Sequence, residues 1–176
     1  MEKAIKLIRL VSNDDPYYVD AMNLYAISFP YHEQRESASQ TSIMSDPAYH
    51  FDMIFDQDRF VGIILNWQTD SFVYVEHFCI MPDLRGRGYG KQTLELLATL
   101  SKTVILEIDP PVDAVSIRRK GFYESAGYVE NLFTHIHPPY HRDHKGHELV
   151  VMSSPNALTE SLYQEFNSYL CSVVMG

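Results

Sequence analysis

Cysteine is scarce: Cys79 and Cys171 are the two present, and they form neither a disulfide framework nor a metal-binding motif. That suits a reducing compartment, and Cys79, inside an apolar stretch, reads as packing. Long hydrophobic runs are missing as well. None approaches the roughly 18 residues of a membrane span, and Met1 to Lys6 has no apolar core of signal-peptide length. A soluble, cytoplasmic chain with no membrane partner is therefore expected. Basic charge is the third deficit, with 14 Lys and Arg against 23 Asp and Glu and a formal net charge of −9. A nucleic-acid surface needs the opposite excess, so nucleic acid is excluded as a partner. The overall field instead favours a cationic small molecule or a basic peptide. Internal repeats and low-complexity segments are absent.

What is present is enough apolar material, 45% of 176 residues, to bury a proper core. One domain over 1–176 is expected, with its core at about 5–152 and a helical extension at about 156–172. Lys6 to Leu10 reads as a first strand. Ser12-Asn13-Asp14-Asp15-Pro16 offers an Asx cap and a first-turn proline to a helix whose buried stripe is Tyr18, Ala21, Met22 and Tyr25, ending near Ser28. Phe29 to Glu36 is a turn after it, either a solvated loop or the approach to a short helix from Glu33 to Met44. His50–Phe55 and Phe60–Gln68 flank a charged hairpin turn, and a second turn leads to Phe72–Ile80, so three antiparallel strands are expected to meander. Thr103–Ile108 is almost continuously apolar, as in a strand buried on both faces. A helix from Val115 to Ala126 with Gly127 at its stop position comes next. Tyr128–Thr134 and Glu148–Met152 read as the last two strands. Leu158, Leu162, Phe166 and Tyr169 give the extension an apolar stripe that could cover the sheet or serve as a homodimer contact.

The centre of the chain is Phe72 to Lys102: a strand, a glycine turn and a helix without a break. The helix takes its apolar positions from Leu94, Leu97 and Ala98 and is expected to end around Ser101-Lys102. In Arg85-Gly86-Arg87-Gly88-Tyr89-Gly90-Lys91, alternate glycines let the backbone turn tightly and aim several N–H groups at one point. The following helix adds its own first-turn N–H groups and dipole, so a phosphate or pyrophosphate is the natural guest. Arg85, Arg87 and Lys91 stand as outer contacts. A plain strand-to-helix connection is the other reading. Two familiar phosphate loops fail by register: Lys91 or Thr93 stands where a dinucleotide fingerprint needs its third glycine, and Gln92 follows Lys91 where a P-loop needs Ser or Thr.

The string Ile80-Met81-Pro82-Asp83-Leu84-Arg85-Gly86-Arg87-Gly88-Tyr89-Gly90 resembles the acyl-CoA loop of the GCN5-related N-acetyltransferases (GNAT), Arg/Gln-x-x-Gly-x-Gly/Ala. The likeness extends more weakly from about Ile5 to Met152. It implies the GNAT acyl-CoA N-acyltransferase fold, an α/β (α+β) mixed sheet of six to seven strands flanked by helices, its fourth and fifth strands splayed. It further implies acetyl-CoA as cofactor, its pantetheine arm paired with the backbone of Phe78, Cys79 and Ile80 and its pyrophosphate on Arg85 to Lys91. The segment Asp109-Pro110-Pro111 and the run Ile117-Arg118-Arg119-Lys120 resemble an uncharacterised bacterial subgroup of the family.

Transfer of an acyl group to an amine needs a base, because an alkyl ammonium has no free lone pair at neutral pH, and a proton donor for the departing thiolate. Glu76, a carboxylate in an apolar strand, is the candidate base, acting through water by resemblance. Strand alternation puts it on one face with Tyr74, Phe78 and Ile80, opposite His77 and Cys79. A structural carboxylate paired with an arginine or His77 is the alternative. Tyr123, in Gly121-Phe122-Tyr123-Glu124-Ser125-Ala126-Gly127-Tyr128, resembles the family's tyrosine acid. Ser116 stands where many relatives carry an asparagine on the pantetheine, and one hydrogen bond remains open to it. The resemblance places the acceptor between a loop with Phe29, Glu33 and Arg35 and a loop with Pro139 and Tyr140, near His77. No metal is expected: His135, His137, His141, His144 and His147 crowd one region with no cysteine or fixed turn. They read as a solvated or substrate-facing loop, one of them open to proton transfer. Direct attack is expected over a covalent intermediate. Another acyl group, an alcohol acceptor, or a CoA-binding sensor without turnover remain the competing functions.

Overall fold

The computed structural model describes residues 4–176, so the first three residues of the stretch read for a leader lie outside it. Eight strands form one mixed sheet: β1 (Ile5–Leu10), β2 (Tyr49–Asp56), β3 (Arg59–Gln68), β4 (Phe72–Ile80), β5 (Thr103–Ile108), β6 (Val129–Glu130), β7 (His135–His137) and β8 (His147–Ser154). The order is β1-β2-β3-β4-β5-β8-β6, with β7 on β8. The β2-β3-β4 meander is antiparallel as expected, and β4 with β5 is the one parallel pair. Parallel pairing follows from the crossover through helix α3 (Tyr89–Ala98). That helix stops short of Ser101-Lys102, and Ser101 itself has φ 57°.

Each face of the sheet is covered. Helix α1 (Tyr18–Ser28), with Ala21, Leu24 and Tyr25 buried, packs on one face. Helix α5 (Glu160–Tyr169) joins it there, with the Phe166 ring 5.9 Å from Phe72 and 5.1 Å from Tyr74. Of the two roles open to the extension, covering the sheet is what its apolar stripe does; the Thr159 hydroxyl caps the helix by accepting from Leu162 N–H at 3.1 Å. Helix α3 and Tyr123 of helix α4 (Ala114–Ser125) lie against the other face. Helix α2 (Ser37–Ile43) is shorter than the sequence allowed, because a 3-10 turn (Tyr31–Glu33) and an extended stretch precede it. Helix α1 begins at Tyr18 with no side-chain cap; the Asp15 carboxylate accepts from Tyr17 N–H in a turn just before it.

Of the strand expected over Tyr128–Thr134, only Val129–Glu130 forms, as β6. Asn131 is the reason: its amide donates to Val151 O and Ser153 Oγ at 3.2 and 2.9 Å, and its carbonyl accepts from Leu158 N–H at 2.7 Å. A side chain that occupies the neighbouring ladder groups ends β6 after Glu130. The chain then rejoins β8 further along as β7, with His135 and His137 turned inward and Ile136 outward.

Candidate active site

The anion loop forms locally, as its residues dictate. Pro82–Leu84 makes a 3-10 turn, and Gly86 and Gly88 take φ of 77° and 87°, left-handed values that a Cβ disfavours. Helix α3 starts immediately after, and Gln92 N–H to Gly88 O is its first internal bond. The amides of Gly88, Gly90 and Lys91 therefore sit at the positive end of the helix, with Arg85, Arg87 and Lys91 exposed around them. A diphosphate fits this turn. Tyr89 contributes no side chain to it: the ring is buried and its hydroxyl donates to Asp56 at 2.6 Å.

Next to the loop the sheet opens. β4 pairs with β5 only from Phe72↔Thr103 to Val75↔Leu106. At that point β4 is irregular against β3: Leu65 faces His77 and Asn66 faces Val75, so Glu76 is a bulged residue with no partner in register. The bulge resets the alternation. Glu76 and His77 come to the α1 face together, 3.8 Å apart, while Phe78 and Ile80 turn to the α3 face. This corrects the expectation that Glu76 shares a face with Phe78 and Ile80; a strict period of two does not survive an inserted residue. Beyond the bulge, β4 and β5 diverge around a cleft of about 720 Å³ whose wall includes Phe78, Cys79, Ile80 and Arg85. A pantetheine arm would find strand backbone there.

The structure sorts the other sequence candidates. Phe29, Glu33, Glu76, His77, Tyr123 and Tyr140 line the cleft. Arg35 lies behind it, 2.8 Å from Glu76 and over the Tyr140 ring, and Pro139 does not reach it. Ser116 is not free for pantetheine. Its hydroxyl donates to the Asp113 carboxylate at 2.9 Å and accepts from Asp113 N–H at 3.1 Å, completing the capping box of α4. That local cap takes up the hydroxyl's proton, and Ser116 is not among the residues lining the cleft.

Glu76 is the centre of a closed network. Its oxygens accept from Trp67 Nε1, Arg35 and Tyr140 Oη, each at 2.8 Å, and its side chain is 1% exposed. Burial alone would raise its pKa, but Arg35, His77 and the two further hydrogen bonds overcome that and hold it down to about 2. The alternative of a structural carboxylate paired with arginine is the one this geometry matches. Tyr123 differs: burial pushes its phenol up to about 12, against a smaller opposing pull from Arg119, so it stays protonated as a donor. Burial also pushes the Cys79 thiol up to about 11, the wrong direction for a nucleophile.

Sequence reasoning missed Glu107. It stands on β5 across the cleft from Glu76, accepting from Tyr74 Oη and from His135 Nε2 at 2.5 Å. Burial opposes its charge, yet His137 and these hydrogen bonds keep its carboxyl below the usual range. A polar residue in a run of apolar ones was the available signal. The histidine segment is only in part the solvated or substrate-facing loop expected: His144 is exposed, whereas His135, His137 and His141 are buried. His135 is buried and also bonded to Tyr163 Oη, and His141 stacks on Tyr31 at 4.0 Å and bonds Glu36 at 2.5 Å. His137 and His147 line the cleft. Among the described residues no group of His, Cys, Asp or Glu is gathered to hold a metal ion, and no helix is long and apolar enough to cross a membrane.

Known proteins resemble this architecture. The acetyltransferase (GNAT) domain family matches residues 20–131. A GNAT-family structure from Bacteroides thetaiotaomicron superposes with a TM-score of 0.90 at 31% identity, covering 97% of this chain and 98% of its own. YjbC of Bacillus subtilis (strain 168), assigned as an acetyltransferase, is 24% identical over 98 residues, which are 54% of this chain and 50% of that protein. The match thus spans half the length of that curated relative. The fold is shared more distantly with Arabidopsis thaliana Naa50, held with a CoA bisubstrate analogue: TM-score 0.60, 15% identity, 85% of this chain and 97% of that one. The splayed strands, the glycine loop at the start of α3 and these matches together make the chain a member of the GNAT acetyltransferase family.

Proposed function

We propose that the protein moves the acetyl group of acetyl-CoA to a primary amine by direct attack. The observation that carries this reading is the continuity of the anion loop with the β4/β5 cleft and Tyr123 beside it. Bound acyl-CoA would supply an activated thioester carbonyl. The chain's own tasks are then to hold the diphosphate, orient the amine, move its protons and exclude water. Gly86 to Lys91 and Arg85 hold the diphosphate. Tyr123 gives its phenol proton to the departing sulfur.

Glu76 has a different part in this proposal from the base suggested by its strand. A carboxylate held at about 2, with both oxygens hydrogen-bonded, has little proton affinity to offer. It is a positioning residue that fixes Arg35, Trp67 and Tyr140 around the acceptor end.

The acceptor favoured is a cationic small molecule or basic peptide. Glu33 and Asp109 both face the cleft, and the Glu33 carboxyl is raised first by burial and then by the charge of Asp109. A positive group between them would relieve both. Thiol release measured across a panel of amines with acetyl-CoA tests the reading. Turnover with a polyamine or basic peptide and a loss on the order of 10²-fold in Tyr123→Phe, with acetyl-CoA affinity unchanged, are the expected results. Binding of acetyl-CoA with no thiol released for any amine favours a sensor and overturns it.

A further inference from the structure

The cleft contains one imidazole whose proton positions are set by its surroundings and whose free nitrogen faces the space between the splayed strands. His137 is buried, with 4% of its surface exposed, at the end of β7. Its Nδ1 lies 2.6 Å from Pro138 O. A carbonyl can only accept, so Nδ1 carries the hydrogen and the neutral ring has its lone pair on Nε2. Nε2 lies 4.0 Å from the Glu107 carboxylate, on the wall of the cleft. The ring packs against Tyr140 at a tilt of 36°, centroids 5.1 Å apart, and the Tyr140 hydroxyl is bonded to Glu76. His137 therefore stands where β4 and β5 part, between the two buried carboxylates.

We propose that His137 Nε2 is the base that takes the proton from the incoming ammonium, with Glu107 as the charge that stabilises the resulting imidazolium. The proposal rests on the acyltransferase reading above. Proton transfer to Nε2 frees the amine lone pair. The N–C bond then forms and the C–S bond breaks, the sulfur taking the Tyr123 proton. The second proton lost by nitrogen restores the phenol through solvent, and the imidazolium returns its own to water. An orienting acceptor on Nδ1 and a carboxylate near the imidazolium are what a histidine base needs.

The other titratable groups fill the role less well. Burial lowers His77, its Nε2 donates to Glu33 O at 2.8 Å, and its Nδ1 faces Glu76 rather than the cleft. His147 is paired with His137 across β7 and β8 but packs on His32 at 4.8 Å, away from Glu107, and burial lowers it too. The groups around His137 are Glu107 from β5, Glu33 from the turn after α1, His77 and Glu76 from β4, Tyr140 from its own loop and His147 from β8.

Ring ¹⁵N NMR of the unliganded full-length protein gives the first test, independent of turnover. The neutral His137 ring should be the Nδ1–H tautomer. The kinetic arm uses His137→Asn, whose amide can still bond Pro138 O. Its kcat should fall by about 10²- to 10³-fold with acetyl-CoA affinity within about twofold. The acid limb of its kcat/KM profile should give way to a rise that follows the free amine alone. An Nε2–H tautomer overturns the proposal. So does unaltered turnover and acid limb in His137→Asn, or loss of that limb in His147→Asn instead. If the unaltered protein binds acetyl-CoA and acylates no amine, the acyltransferase reading and the base fall together; normal acylation by His137→Asn removes the base alone.

Discussion

At one end of the cleft a glycine turn suited to an anion is assembled from consecutive residues, 85–91. At the other end Arg35, Trp67, Glu76 and Tyr140 come from four separate segments and meet through side chains. The first region depends on backbone conformation: two glycines with positive φ and a helix start. The second depends on charge pairing in a place where water is excluded. Local sites tolerate side-chain changes that leave the turn intact, whereas a buried ionic network fails when any member is removed, because the partner keeps its desolvation cost.

The sharpest way to break the comparison is to remove Arg35. Arg35→Met leaves Glu76 buried with no compensating cation, and chemical denaturation should show a loss of about 3–5 kcal/mol. The acetyl-CoA affinity of the remaining folded protein should hardly change. A loss under about 1 kcal/mol would mean that the network does not sustain the acceptor end.

Acid should reach the same region next. Glu76 has a folded pKa of about 2, below the ordinary glutamate value of 4.5, so the unfolded chain binds more protons between those values. Its stabilisation is complete above about pH 4.5 and is lost as pH falls toward 2, a difference on the order of 3 kcal/mol. Glu107, also lowered, acts in the same sense. Denaturation of the unaltered protein and of Glu76→Gln across this window should give slopes of the same sign, shallower in the variant. Equal slopes would remove Glu76 from the account.

The smallest effect should fall on the cofactor end and remain local. Gly88→Ala forces a Cβ into a φ of 87°, a strain of about 1–2 kcal/mol. Calorimetry should find acetyl-CoA binding weakened roughly tenfold while the acid dependence of stability is kept. Undiminished binding would show that the left-handed turn is dispensable for the diphosphate.

Legibility followed the same division. The glycine loop, the meander, the stop signal of α4 and the largely apolar run of β5 could be read because each is a short-range demand of backbone and pattern. The resemblance added the fold and the splay. The face of Glu76 was misread because the bulge is decided by pairing with β3. The capping role of Ser116 is itself local, since its partner Asp113 lies three residues before it, and the resemblance to a pantetheine contact masks it.

The sequence by itself determined that this is an acidic chain with a strand meander and a glycine turn at 85–91 ahead of a helix, because those properties are carried by composition and by neighbours along the chain. Only the tertiary structure decided which carboxylate is neutralised by Arg35, which histidines are buried and which open on the cleft. Those outcomes depend on contacts such as Tyr140 with Glu76 and His141 with Glu36, made between residues far apart in sequence, where desolvation and charge are set by whatever the fold brings near.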